Sequence, residues 1–100
     1  MAVMEISVVP VGTGNPCVSE FVSYAYKVLK EEGYHFQLTA MGVIVQGEVE
    51  ELMNLALKIH KRPFEKGALR VMTTIRIDER KDVNLTIDKK VNKLKANINK

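Results

Sequence analysis

The chain of 100 residues has one cysteine, and it has no apolar run that approaches the ~20 residues needed to span a bilayer. The single cysteine, Cys17, cannot form an internal disulfide, which excludes a disulfide framework and favours a reducing compartment. The first residues carry no basic segment, and Glu5 interrupts their short apolar stretch, so they do not resemble a signal peptide. The sequence therefore predicts a cytoplasmic protein with no membrane partner, folded as a single domain over residues 1–100.

Several signatures of catalysis and cofactor binding are also missing. The loop over residues 10–16 lacks the Lys-Ser/Thr ending of a phosphate-binding loop and the third glycine of a dinucleotide fingerprint. It is more typical of a loop before a helix, whose N-terminal N–H groups would at most bind an anion. Cys17, His35 and His60 have no metal-ligand spacing, and Cys17 is better explained as a small residue than as a nucleophile. With no recognisable nucleophile, base and orienting group, we predict no catalysis, no metal site and no cofactor.

The net charge of +3 is unevenly distributed along the chain. Residues 88–100 contain five lysines and one aspartate, a net charge of +4, whereas the other 87 residues contain 10 basic and 11 acidic side chains, a net charge of −1. The lysine-rich tail thus supplies the positive charge. The near-neutral body argues against a nucleic-acid partner, which requires basic charge spread over a docking face.

Apolar periodicity predicts seven elements in the order β-α-β-β-α-β-α. Alternating polar and apolar residues indicate strands, and apolar residues at helical spacing indicate amphipathic helices. Asn15 and Pro16 are typical of a helix start, Gly33 of a helix end, and Thr86 of the cap of the last helix. The predicted strands are 5–9, 34–39, 43–47 and 69–78; the predicted helices begin at Pro16, at Glu48 (with Pro63 and Gly67 at its exit) and at Ile87.

This order of elements is typical of one α+β architecture. Two βαβ halves joined by a central hairpin, with a tight connection over residues 40–42, predict a ferredoxin-like βαββαβ sandwich. Such a sandwich has a four-stranded antiparallel sheet with two helices on one face, and this chain adds a short C-terminal helix. RNA-binding sheets of this fold stack bases on aromatic side chains, which the first and fourth strands lack. The copper-carrying form needs a Cys-x-x-Cys pair, which one cysteine cannot supply.

The sheet face away from the two helices, called the open face below, has a mixed composition. The residues assigned to the helix side are Ile6, Val8, Phe36, Leu38, Val43, Val45, Val71, Ile75 and Ile77. The residues assigned to the open face are Glu5, Ser7, Val9, His35, Gln37, Thr39, Ile44, Gln46, Arg70, Met72, Thr74, Arg76 and Asp78.

A solvated outer surface is one interpretation of the open face. Val9, Ile44 and Met72 are poor choices for contact with water, which favours burial between the sheet faces of two subunits, as a dimer or a dimer of dimers. A small-molecule site beside that interface is a third interpretation. Its hydrogen-bonding groups would be Ser7, Gln37, Thr39 and Thr74, with Glu5 or Asp78 facing a cation.

A charged run over residues 78–82 leaves the fourth strand. Internal pairing within a solvated loop is the favoured interpretation, and an intersubunit ion pair or a ligand clamp through Arg80 are the alternatives. The basic last helix has an apolar face, and we expect this helix to pack on a neighbouring subunit. That face consists of Ile87, Val91, Leu94 and Ile98.

Four sequence blocks carry a family resemblance. They are SVVPVGTG over residues 7–14, SEFV over 19–22, LTAMGVIVQGE over 38–48 and RVMTTIRIDER over 70–80. In the order and spacing of these blocks, the chain resembles the small thiamine-binding protein family over about residues 4–95. Ala40 and Val43 stand where the family usually has proline and threonine, so this chain has no side-chain hydroxyl at position 43.

The resemblance implies a ferredoxin-like fold, oligomers built through the sheet faces, and non-catalytic binding of thiamine or its hydroxymethylpyrimidine moiety, as a carrier, store or sensor. Thiamine carries an aminopyrimidine with hydrogen-bond donors and acceptors and a cationic thiazolium ring, which suits the polar and acidic residues of the open face. An assembly module with no small-molecule ligand is the alternative, and an enzyme, for which Glu5, Asp78 and His35 are the candidate proton-transfer groups, is a third class. The predicted ligand-binding residues are Glu5, Ser7, Gln37, Thr39, Met41, Gly42, Thr74, Arg76 and Asp78.

Overall fold

A computed structural model describes residues 1–12 and 18–99 of the chain. The predicted helix start at Asn15 and Pro16, and Cys17, lie outside the described residues. Within the described part of the chain, no helix combines the length and the apolar character needed to cross a membrane. The elements follow the predicted order: β1 (Ala2–Pro10), α1 (Val18–Glu31), β2 (Phe36–Thr39), β3 (Gly42–Gly47), α2 (Val49–Glu65), β4 (Val71–Glu79) and α3 (Ile87–Ile98).

The four strands form an antiparallel sheet with the order β2-β3-β1-β4. β1 lies at the centre, pairs with β3 on one side, and pairs with β4 along its whole length, from Ala2↔Glu79 to Pro10↔Val71. The crossovers through α1 and α2 bring both helices onto the same face of the sheet. This arrangement confirms the predicted ferredoxin-like α+β sandwich.

The core lies between the sheet and the helices α1 and α2. Met4, Ile6 and Val8 of β1 point into it, as the alternation of the strand requires. Leu29 of α1 and Leu52 of α2 meet them and are fully buried. Burial of a Leu, Ile or Met side chain contributes roughly 1.5–3 kcal/mol each, so this layer supplies much of the folding free energy.

Some strand residues predicted for the helix side lie on that face but are only partly buried. Ile75 and Ile77 of β4 pair with Ile6 and Met4, so their side chains share the core face. Both remain more than one-third exposed, and Leu38 of β2 is similar. The reason is that β2 and β4 are the edge strands of the sheet, where the helices reach less far.

The clearest difference from the predicted boundaries is at the start of β1. β1 begins at Ala2 rather than Glu5, because Ala2 and Val3 pair with both neighbouring strands. α2 ends at Glu65, between Pro63 and Gly67, as predicted, and it includes Pro63 in its last turn. Proline cannot donate a hydrogen bond to the preceding turn, but the Pro63 carbonyl accepts hydrogen bonds from the N–H groups of Lys66 and Ala68 beyond the helix end.

α3 packs on the open face of its own chain, which corrects the expectation that it packs on a neighbouring subunit. Leu85 and Ile87 are buried against Val3 of β1, and Ile44 and Val91 pack beside them. The physical reason is that Val3 and Ile44 provide an apolar surface at one end of the open face. The short segment after β4 is long enough to return the helix over that surface.

Candidate ligand-binding site

Three of the predicted residues lie in one row across the open face. The register pairs Gln37 of β2 with Ile44 of β3. Ile44 in turn pairs with Glu5 of β1, and Glu5 pairs with Arg76 of β4. Directly paired residues of an antiparallel sheet point to the same face, with Cβ atoms about 5 Å apart. An amide, a carboxylate and a guanidinium are therefore aligned across the sheet, with one apolar side chain among them.

α3 packs over the middle of this row, at Ile44, and a cavity of about 290 Å³, called the α3 cavity below, lies between the helix and the sheet, with Gln37 and Arg76 at its exposed rim. Its volume is close to the lower end of small-molecule pockets, which begin at ~300 Å³. Four of the nine predicted residues, one amide and three charged groups, line it together with apolar residues from both walls. The lining residues are Val3, Glu5, Gln37, Ile44, Arg76, Ile77, Asp78, Ile87, Lys90, Val91 and Leu94.

The four charged side chains of the α3 cavity form two ion pairs. Arg76 Nη1 lies 3.7 Å from Glu5 Oε1, and Lys90 Nζ contacts Asp78 Oδ2. Both carboxylates are about half-exposed, so water screens these pairs and they contribute little to stability. The same weakness allows a ligand to replace either partner at low cost.

Hydrogen bonds at the start of α3 hold the helix over the cavity. Gln46 Oε1 on the open face accepts a hydrogen bond from the Ile87 N–H at 2.9 Å. One of the N–H groups that a helix start leaves without a partner is thereby satisfied from the sheet. Thr86 Oγ1 accepts a hydrogen bond from the Lys89 N–H at 3.2 Å, which confirms the predicted cap.

The other predicted residues lie beside the cavity, towards the opposite end of the open face. Ser7 pairs with Thr74, and Thr39 pairs with Gly42. The Thr39 hydroxyl donates to the Gly42 carbonyl at 3.0 Å and accepts from the Met41 N–H at 3.2 Å, so it stabilises the turn between β2 and β3. Met41 lies in this turn and is largely exposed. As ligand contacts, these five residues stay predictions.

Sequence reasoning missed the helix wall of the cavity. α3 contributes Ile87, Lys90, Val91 and Leu94, and its sequence pattern does not indicate which surface it covers. One signal for this wall is the run Ala2–Met4, because consecutive apolar residues indicate a strand that is covered on both faces. The apolar face of α3 is the matching signal on the helix.

Internal pairing, as predicted for the charged run over residues 78–82, is found between Arg80 and Asp82, whereas Asp78 pairs with Lys90 of α3. Arg80 Nε donates a hydrogen bond to Asp82 Oδ1 at 2.9 Å, and Arg80 Nη2 contacts Asp82 Oδ2. The side-chain hydrogen bonds from Arg80 lower the pKa of the Asp82 carboxyl, and the same contact raises the pKa of the Arg80 guanidinium. The Arg80 side chain therefore binds Asp82 within the segment that leads into α3.

A wider depression of about 740 Å³ lies where the end of α1, the start of β2 and the first turns of α2 meet. It contains none of the nine predicted residues. In this depression Lys58 Nζ lies 3.0 Å from Glu32 Oε1. The pKa of Tyr34 is raised, mainly by burial and to a lesser extent by the negative charges of Glu51 and Glu32. No group of three or more His, Cys, Asp or Glu residues within 1–12 and 18–99 is placed to hold a metal ion. The α3 cavity is the better candidate because four of the nine predicted residues line it.

Known proteins are similar to this chain in sequence over most of its length. The family model described as thiamine-binding protein matches residues 4–95. The chain is also similar to the UPF0045 protein YqgV of Bacillus subtilis (strain 168), with 39% identity over 97 residues that cover 91% of each chain.

Solved structures share the fold as well. The hypothetical protein MJ1052 of Methanocaldococcus jannaschii is 31% identical, with a TM-score of 0.79 over 93% of this chain and 94% of that one. A putative thiamine biosynthesis/salvage protein of Thermotoga maritima is 28% identical, with a TM-score of 0.73 over 93% of this chain and 97% of that one.

Proposed function

Because the chain belongs to the thiamine-binding protein family, as its sequence blocks predicted, we propose that it binds thiamine or its hydroxymethylpyrimidine moiety in the α3 cavity. The observation that carries this proposal is the convergence of Glu5, Gln37, Arg76 and Asp78 on one cavity of about 290 Å³. The relative from Thermotoga maritima, whose name refers to thiamine biosynthesis or salvage, supports the same class of ligand.

The chemistry of the cavity suits both parts of this ligand. The Gln37 side-chain amide offers a donor and an acceptor, which are the groups that an aminopyrimidine edge requires. The Glu5 carboxylate offers a counter-charge to the thiazolium ring. Ile44, Ile87 and Val91 offer apolar contact to both ring faces from the sheet wall and the helix wall.

We propose binding without catalysis. The described side chains that line the cavity include no serine, threonine, cysteine, histidine or tyrosine, and Glu5 and Asp78 already face cationic partners. The described lining of the cavity therefore offers no nucleophile with a base and an orienting group beside it. The protein would act as a carrier, store or sensor, and its single cysteine supports a reducing, cytoplasmic setting.

Calorimetric titration of the purified chain, stripped of carried-over ligand, tests the proposal with thiamine and with hydroxymethylpyrimidine. We expect saturable binding of at least one of them with a micromolar or lower Kd, which corresponds to about −8 kcal/mol or more negative. Glu5→Gln removes the carboxylate and leaves Arg76 facing the thiazolium ring. The Kd for thiamine should therefore rise about tenfold or more.

Glu65→Gln is the matched control, because Glu65 pairs with Arg62 on α2, remote from the cavity. This variant should bind thiamine as the wild type does. Absence of binding by both ligands to the folded wild-type chain would contradict the proposal. Equal weakening by Glu5→Gln and Glu65→Gln would contradict the assignment of the site.

A role in assembly is a second candidate function, favoured by the part of the open face that α3 leaves uncovered. Val9 is 42% exposed and Met72 is 58% exposed, and the two residues pair across β1 and β4. We propose that this uncovered end joins copies of the chain in a dimer or a dimer of dimers. Ligand binding under α3 and assembly at the other end are compatible.

A further inference from the structure

The four charged groups of the α3 cavity alternate in sign. Glu5 and Arg76 are neighbours across β1 and β4. Asp78 lies two residues further along β4, on the same face as Arg76 and about 7 Å along the strand. Lys90 contacts Asp78 from α3. Negative, positive, negative and positive groups therefore follow one another in the cavity, and their formal charges cancel.

A cavity with this pattern distinguishes ligands by their distribution of charge. A ligand that carries only a positive charge is attracted by Glu5 and Asp78 but repelled by Arg76 and Lys90, so these contributions oppose each other. A ligand with charges of both signs meets a carboxylate with its cationic part and a guanidinium with its anionic part. Both contributions are then favourable, so the charges of the ligand and of the cavity are complementary.

Arg76 is suited to the anionic part of such a ligand. A guanidinium binds a phosphate through two parallel N–H donors, which an ammonium cannot do. The Arg76 side chain is 81% exposed and its contact with Glu5 is long, at 3.7 Å, so it can turn towards a ligand without breaking a buried pair. Lys90 faces the same cavity from the helix wall and supplies a second positive charge.

We propose that the α3 cavity selects a dipolar ligand, one with a cationic ring and a phosphate group, over the unphosphorylated cation. This inference rests on the proposed function and adds the charge class of the ligand, with thiamine monophosphate as its simplest representative. The cationic ring faces Glu5. The phosphate takes the place of Glu5 beside Arg76, and Asp78 keeps its contact with Lys90, so that each charged group of the cavity keeps an opposite partner.

The test compares thiamine and thiamine monophosphate by calorimetric titration of the full chain at low ionic strength. The wild type should bind the monophosphate about tenfold more tightly than thiamine. Arg76→Gln should reverse this order in part: the monophosphate binds more weakly, whereas thiamine binds equally or more tightly because Glu5 has lost its competing cation. Inorganic phosphate at millimolar concentration should compete with the monophosphate and not with thiamine.

Lys95→Gln is the control on the lysine-rich helix, since Lys95 does not line the cavity, and it should leave both Kd values unchanged. Lys90→Gln gives an independent check on the second cation and should weaken only the monophosphate. Thiamine binding that equals or exceeds monophosphate binding in the wild type would overturn the inference and leave the proposed function standing. A preference for the monophosphate that survives both Arg76→Gln and Lys90→Gln would also overturn the inference. Absence of binding by all thiamine-class ligands would overturn the inference and the proposed function together.

Discussion

Neighbouring residues of β4 serve different purposes because successive side chains of a strand point to opposite faces. Thr73 Oγ1 lies 2.6 Å from His60 Nδ1 of α2 and so connects the strand to the helix layer. Thr74 pairs with Ser7 on the open face. The residues of one strand therefore divide between holding the helices and forming the candidate site.

Gly42 is required by a close approach of two strands. A Cβ at this position would lie 2.5 Å from the Ile6 carbonyl oxygen and 3.2 Å from Ser7 Cβ, and a backbone oxygen cannot move aside. We expect Gly42→Ala to lower the free energy of unfolding by about 3 kcal/mol. Gly67→Ala is the control, because Gly67 has a positive φ but open space around it, and it should cost about 1–2 kcal/mol. Urea denaturation would measure both values, and equal costs would contradict this interpretation.

The contact between Arg80 and Asp82 predicts an acidic shift that can be measured directly. The hydrogen bonds from Arg80 hold the pKa of Asp82 below its ordinary value of 3.8. Because the folded-state pKa is lowered, the contribution to stability is present above pH 3.8 and is lost as the pH falls through the lowered pKa. An NMR titration of the Asp82 carboxyl carbon should give a midpoint below 3.8, and Arg80→Gln should return it towards 3.8. A midpoint in the wild type that Arg80→Gln leaves unchanged would contradict the pairing.

The faces of individual residues could be predicted from the sequence, whereas their partners could not. Period-two alternation places Glu5, Gln37 and Arg76 on one face, and the structure aligns them in one row. The contact of Lys90 with Asp78 depends on where α3 docks, and no local pattern contains that information. Thr39 shows the same limit, since its hydroxyl is used by the turn between β2 and β3.

For the helix α3, the local sequence pattern predicts the helix itself but not the surface on which it packs. Its bounds, its cap at Thr86 and its apolar face follow from the sequence, and so does the end of α1 at Gly33, which has a φ of +77°. The docking position does not follow, because an apolar helix face indicates only that something covers it. The sequence pattern favours burial of Ile44 between subunits, and Val3 precedes the predicted first strand. In the structure, the apolar face of α3 packs on Val3 and Ile44, so each of the two apolar surfaces covers the other.

Ile87 is the apolar anchor of α3, and its truncation should undock the helix. Ile87 is buried against Val3 and Leu85, so Ile87→Ala should cost about 2–3 kcal/mol and raise amide exchange throughout α3. Ile98 is 79% exposed at the far end of the same face, and Ile98→Ala should change stability by less than about 0.5 kcal/mol. Hydrogen-exchange mass spectrometry would compare the two variants. Undiminished protection of α3 in Ile87→Ala would contradict this role.

At the scale of the whole molecule, α3 divides the open face into two ends. The covered end contains the α3 cavity, and the uncovered end exposes Val9 and Met72. Leu94 and Ile98 extend the apolar face of α3 and are exposed as well. The exposed apolar pair Val9 and Met72 is typical of a surface that joins subunits, which supports the proposed assembly.

Met72→Glu tests that assembly. Size-exclusion chromatography with light scattering should give the wild type a mass of a dimer or a dimer of dimers, and Met72→Glu a smaller mass, because a charge would be buried in the interface. Met53→Glu is the matched control, since Met53 is 45% exposed on α2, on the opposite side of the sheet. A monomeric wild type, or equal dissociation by both variants, would contradict the proposed interface.

Binding of a thiamine-class ligand between the open face and α3 is the central claim, and an NMR titration of the ¹⁵N-labelled chain with thiamine tests it most directly. We expect the largest amide shifts in the two walls of the α3 cavity, and little change in the depression around Tyr34 and Lys58. Shifts that concentrate at Tyr34 and Lys58, or spectra that do not change at saturating thiamine, would contradict the account. The amides expected to shift are those of residues 3–5, 37, 44, 76–78 and 87–94.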